Sequence, residues 1–153
     1  MGVALQNHFM SRPAGTLDKK GRVCIPANYR QVLTAQGTSG VYVRPHPVRR
    51  SLQCFGETVF EEYLRSKTPR NPFSPEHDDE AFDIYAETEA LPLDDNGRVR
   101  LPDSLIAYAQ LGENVTFVGM GEKFEIWDSA RLIAYREERR SNNSHAPTPG
   151  TPQ

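Results

Sequence analysis

Two short stretches of this sequence carry side chains suited to a polyanion: Asp18-Lys19-Lys20-Gly21-Arg22 and Asp94-Asp95-Asn96-Gly97-Arg98. In each, a Gly precedes the Arg, where a tight hairpin turn needs a positive φ that Gly adopts without steric cost. Asp18 and Asp94 can accept hydrogen bonds from the turn amides, as Asx-turns do. An arginine held just beyond so rigid a turn presents a planar guanidinium, which pairs bidentately with a phosphate or with a guanine edge. The first turn adds Lys19 and Lys20, while the second has Asp95 and Asn96, so phosphate contact is expected to be stronger at the first. Taken alone, one such stretch reads as a well-made hairpin whose Asp and Arg pair with each other. Its recurrence, arginine included, shifts the reading toward a working site.

The two stretches belong to a longer repeat. Leu17 to Pro26 aligns without gaps with Leu93 to Pro102, and Leu, Asp, Gly, Arg, Val and Pro are identical in register. Strand alternation beyond each turn places Val23 and Ile25 on one face and Arg22 and Cys24 on the other. In the second copy Val99 and Leu101 point inward, Arg98 and Arg100 outward. Pro26 and Gly37 bracket a short helix, as do Pro102 and Gly112. β-like runs follow: Gly40 to Val43 and Leu52 to Phe55 in the first copy, Val115 to Val118 and Phe124 to Trp127 in the second. Each copy then ends in a helix, over Thr58 to Leu64 in one. In the other it is capped by Asp128 or Ser129 and runs to Arg140. Lys67 to Pro75 is a Pro-rich linker, a helical stretch is expected around Asp79 to Ala86, and Ser141 to Gln153 reads as disordered. The predicted organisation is a first repeat over 8–66, a linker over 67–80, a second repeat over 81–140 and a tail over 141–153.

The bulk properties narrow the function classes. The chain has 153 residues, 37% apolar and 25% charged, enough for one domain or for two small modules that share a core. Its net charge of −2 hides an asymmetry. Residues 1–70 carry 11 Lys and Arg against 4 Asp and Glu, and residues 71–153 carry 7 against 16. Such a split suits a basic face for phosphates, although folding can mix the halves in space. No apolar run approaches the ~20 residues that span a membrane, and the N-terminus lacks the pattern of a signal peptide, so the chain reads as cytoplasmic. Cys24 and Cys54 are too few for a disulfide scaffold; Cys54 is expected in the core and Cys24 at the surface. His8, His46, His77 and His145 show no metal-ligand spacing, and no nucleophile motif is present. Gly119-Met120-Gly121 reads as a hairpin turn, not a dinucleotide loop. Neither an enzyme, a metal nor a cofactor is expected.

The paired Asp-x-x-Gly-Arg turns, their Val-x-Ile-Pro and Val-x-Leu-Pro continuations and the Phe124-Glu125-Ile126-Trp127 run resemble the MraZ family of bacterial regulators, relatives of AbrB-type proteins. The match spans about residues 8–140. The resemblance implies a mainly β fold with packed helices, in which tandem AbrB-like repeats form a swapped-hairpin, double-split β-barrel. It implies a ring-shaped homo-oligomer, associated with the nucleoid. Such a protein binds tandem repeats in double-stranded DNA upstream of its own division and cell-wall gene cluster, with no membrane partner and no small-molecule substrate. Carried over by position, the DNA-contacting residues are Asp18, Lys19, Lys20, Gly21 and Arg22, with Asp94, Asp95, Asn96, Gly97 and Arg98 as their counterparts. The alternative is an antitoxin-like interaction module of the same barrel class.

Overall fold

The computed structural model describes residues 7–67 and 71–145. The first copy contributes β1 (Ala14–Thr16), β2 (Arg22–Cys24), α1 (Ala27–Ala35), β3 (Gly40–Pro45), β4 (Leu52–Phe55) and α2 (Glu57–Lys67). A short helix α3 (Pro75–Ala81), capped by the Ser74 hydroxyl, which accepts from His77 N, passes into a π-helical segment, Phe82–Ala86. The second copy repeats the first: β5 (Glu89–Pro92), β6 (Arg98–Arg100), α4 (Asp103–Ala109), β7 (Asn114–Gly119), β8 (Phe124–Asp128) and α5 (Ser129–His145).

The strands build two antiparallel sheets. The larger has the order β1-β7-β8-β4-β3-β5, and the smaller is a two-stranded ribbon of β2 and β6. Exchanging the two copies turns the larger order into its own reverse, so the sheet has an internal two-fold through the β4–β8 pair, where Gln53 lies opposite Glu125. Each copy gives its first strand to the other: β1 pairs with β7, and β5 pairs with β3. The ribbon has the same symmetry, with Val23 opposite Val99.

Alternation explains the burial. Val23, Ile25, Val99 and Leu101 are buried, while Cys24 and Arg100 are exposed and Arg22 and Arg98 are half-buried. The core is shared between the copies. Tyr29 of α1 packs its ring 4.9 Å from that of Phe124 and 6.3 Å from that of Phe117, both on second-copy strands, and Phe9 lies 4.8 Å from Phe124. Tyr29 is fully buried, so its hydroxyl needs an acceptor; it donates to Met10 O at 2.9 Å, and burial raises its pKa to about 12.

The fold is mixed where a mainly β one was expected: helices hold more residues than strands. The described residues form no closed barrel either, because β1 and β5 remain as edges. β2 and β6 use their ladder hydrogen bonds on each other instead of extending the larger sheet, and among the described residues only the isolated Leu17–Val23 bridge ties β1 to β2. Part of the expected linker is helical, since Ser74 and Pro75 supply the cap and the first-turn proline of α3. α5 runs past Arg140 to His145, and the rest of the expected tail lies outside the described residues. Asp128 caps α5, accepting from Arg131 N at 3.2 Å. The helix bracketed by Pro102 ends earlier than its glycine: Gln110 itself takes the left-handed conformation, whereas Gly37 does so after α1.

Candidate nucleic-acid interface

The two turns are built identically. In the first, Gly21 N donates to Asp18 O at 3.0 Å and Gly21 has φ +79°. Asp18 Oδ1 accepts from Lys20 N at 2.9 Å and Arg22 N at 2.8 Å, and Asp18 Oδ2 accepts from Arg22 Nε at 2.8 Å. In the second, Gly97 N donates to Asp94 O at 2.9 Å, and Gly97 has φ +77°. Asp94 Oδ1 accepts from Asn96 N and Arg98 N at 2.9 Å each, and Oδ2 accepts from Arg98 Nε at 3.0 Å. The Arg22 amide, then the Arg22 side chain and the Lys20 amide, hold the Asp18 carboxyl below its ordinary range against some desolvation. The Arg98 amide does the same for Asp94, followed by the Asn96 amide and the Arg98 side chain. Each turn's aspartate and arginine therefore pair with each other, as expected of a well-made hairpin. The aspartate fixes Nε, which aims the guanidinium and leaves its two terminal nitrogens to an outside acceptor.

The ribbon joins these turns. Ile25 N donates to Gly97 O at 2.9 Å, and Leu101 N donates to Gly21 O at 2.8 Å, so each turn is tied to the strand that follows the other. Arg22 lies opposite Arg100 and Cys24 opposite Arg98. All ten sequence-predicted residues thus sit at the two ends of one ribbon. Like charges directly opposite each other on a sheet destabilise it, a cost that a bound anion removes.

Two arginines outside the ten belong to this surface. Arg100 has an exposed side chain with no ion pair or hydrogen bond among the described residues; strand alternation alone marks it as outward. Arg30, from α1 of the first copy, crosses the second turn and donates from Nη1 to Asn96 O at 3.3 Å. A Cβ on Gly97 would lie 1.5 Å from Arg30 Nη1. The acidic second turn therefore gains a cation from the other copy. At the corresponding place beside Gly21 stands Ile106, which the 76-residue offset matches to Arg30. No sequence signal beyond that mismatch points to Arg30.

Comparison with known proteins identifies the family. The family model described as "MraZ protein, putative antitoxin-like" matches residues 84–150. A protein of Beijerinckia indica subsp. indica named "Transcriptional regulator MraZ" is 37% identical over 135 residues, covering 88% of this chain and 82% of the relative. Its namesake in Methylocella silvestris is 38% identical over 133 residues, covering 87% and 81%. That of Xanthobacter autotrophicus is 36% identical over 151 residues, covering 94% and 96%. Identity of this degree over nearly the whole length of both partners places the chain in a family: it belongs to the MraZ family.

Proposed function

We propose that this chain is a sequence-specific, DNA-binding transcriptional regulator that reads tandem repeats in double-stranded DNA through its two Asp-x-x-Gly-Arg turns. The proposed targets are the division and cell-wall gene cluster and its own promoter. The observation that carries the reading is the pair of matching Asp–Arg clamps at the two ends of one ribbon whose outer face also holds Arg100. The relatives' names, transcriptional regulators all, support it, and the family is one of regulators, not enzymes.

Within this reading the repeats run over 8–66 and 81–140 with a linker at 67–80. Their exchange of β1 and β5 favours the swapped-hairpin class. The protein acts as a ring-shaped homo-oligomer associated with the nucleoid in the cytoplasm. No helix among the described residues is long and apolar enough to cross a membrane. An antitoxin-like role, which the family description also names, predicts a protein partner instead of an operator. A gel shift with the DNA upstream of the chain's own cluster separates the two. A retarded complex that outcompetes scrambled DNA is the expected result; no preference over scrambled DNA, from a folded protein, sinks the proposal.

A further inference from the structure

A second cluster of cations lies at the end of the large sheet remote from the ribbon. β7 starts at Asn114, next to the first turn, where Leu17 N donates to Glu113 O at 2.8 Å, and leads away to Gly119. At about 3.4 Å per residue the strand carries the chain on the order of 17 Å from that turn. Beyond it a cavity of about 410 Å³ opens, lined by Arg12, Arg49, Arg136 and Arg139 and walled in part by Trp127 and Tyr135. This is the size of a small-molecule site.

The charges in this cavity do not balance. Its one carboxylate, Glu125, is buried and already satisfied. Oε1 accepts from Ser51 Oγ and Trp127 Nε1, and Oε2 from Arg49 Nη2, all at 2.9 Å. Glu125 therefore offsets Arg49 and no other arginine. The side chains of Arg12 and Arg136 make no ion pair or hydrogen bond among the described residues, and Arg139 only faces the Tyr135 ring at 5.9 Å. Arg49 Nε is buried without a partner.

The internal two-fold supplies a control. The corresponding place in the first copy, where Gln53 and Phe55 stand for Glu125 and Trp127, holds a smaller apolar cavity of about 190 Å³. There the π-helical segment inserts Ile84, which is 1% exposed, and Asp83 O accepts from Arg44 Nη2 at 2.9 Å. One copy covers this place with its own chain; the other surrounds it with arginines and leaves it unfilled among the described residues.

We propose that the arginine cavity binds a compact polyphosphate anion, a phosphorylated small molecule that is held and not turned over. Arg12, Arg136 and Arg139 are exposed around the same space that Arg49 lines from within, and guanidinium forks match the geometry of phosphate oxygens. DNA offers the same phosphate chemistry, but the cavity lies at the far end of the sheet from the ribbon, which favours a small molecule. Calorimetry of the full chain with inorganic tripolyphosphate tests this without any DNA, so its outcome is independent of the proposed operator binding. Saturable binding, weakened at least tenfold in Arg136→Gln/Arg139→Gln and in Arg12→Gln, is expected. Lys19→Ala/Lys20→Ala should leave it unchanged, and Arg136→Gln/Arg139→Gln should leave DNA affinity unchanged. Thermal melts identify variants that fold; Arg12→Gln, outside α5, serves if the double variant does not. No saturable binding to the wild type overturns the proposal, as does undiminished binding to the folded arginine variants. Loss of binding in the lysine variant moves the anion to the first turn. DNA affinity that falls in step with tripolyphosphate affinity makes the arginines part of the DNA surface, and either result equally overturns the site.

Discussion

At the scale of single residues, the arrangement that matters is a carboxylate that orders a guanidinium. Asp18 uses one oxygen on backbone amides and the other on Arg22 Nε, so under the proposed DNA contact the arginine would lose little further freedom on binding. Arg22→Ala is expected to weaken specific DNA binding by about 1–3 kcal/mol. Arg98→Ala should cost less, because Asp95 shares its turn and Arg30 supplies a neighbouring cation that survives the substitution. Fluorescence anisotropy with operator DNA measures both; unchanged affinity in a folded Arg22→Ala removes the clamp from the site. A different residue sets the response to acid. His46 is buried, and its Nδ1 accepts from Val48 N and Arg49 N at 3.0 Å each. Burial first, and then Arg49, Lys123 and Arg44, depress its pKa below 6.5, while Glu125 acts the other way. The unfolded chain therefore takes up this proton before the folded one, and stability declines as pH falls from about 6.5 through the folded value. Melting temperatures at pH 7.5 and 5.5 should show a smaller acid loss in His46→Asn than in the wild type. An equal loss would place the acid sensitivity elsewhere.

At the scale of elements, the exchanged edge strands position the turns. Gly40 on β3 faces β5 so closely that a Cβ would lie 2.2 Å from Leu91 O. Because the obstacle is backbone, Gly40→Ala must part the two strands, an overpacking cost of about 1–3 kcal/mol. It should also lower DNA affinity, since β5 leads into the second turn; a denaturant midpoint equal to wild type would contradict the packing. Much of this layer was legible in the sequence. The turns, the ribbon alternation at Val23 and Val99 and the helix starts after Pro26 and Pro102 follow local rules, and each is written twice. What escaped depends on distant segments. Nothing local to Ala14–Thr16 says that it pairs with β7 rather than within its own copy. Nothing around Arg30 announces that it will cross Gly97. The arginine cavity is assembled from β1's approach, the turn before β4 and one face of α5, three places with no shared motif. The end of α5 was misjudged because polar residues such as Ser141 and Asn142 read as loop, yet a capped and already formed helix extends at small cost per residue.

At the scale of the whole molecule, the charge split between the halves of the chain does not become a split between halves of the structure. The copies exchange strands, and the second turn receives Arg30 from the first copy, so the positive charge around the two turns is drawn from both. The first turn still holds the larger share, with Lys19 and Lys20 exposed beside the clamp. A net charge of −2 leaves a single chain poorly suited to hold DNA by overall attraction. Joining several ribbons in one ring makes later contacts intramolecular, which raises avidity by roughly 10²–10⁴. Under that proposal each engaged chain releases counterions from the phosphates it neutralises, at about −0.9 in the log–log slope for each. Lys19→Ala/Lys20→Ala should therefore make the salt dependence shallower by about 2 units per engaged chain. Preference for operator over scrambled DNA should survive, since lysines on phosphates position the protein and carry no sequence information. The reverse change, Asp95→Lys with Asn96→Lys, should raise affinity for scrambled DNA and narrow the preference. Titrations of both DNAs at several salt concentrations, with the assembly state followed by light scattering, read slope and particle size together. A wild-type slope in the double lysine variant, at unchanged particle size, would mean that the first turn does not carry the phosphate contacts and that Arg30 and Arg100 are the next residues to test.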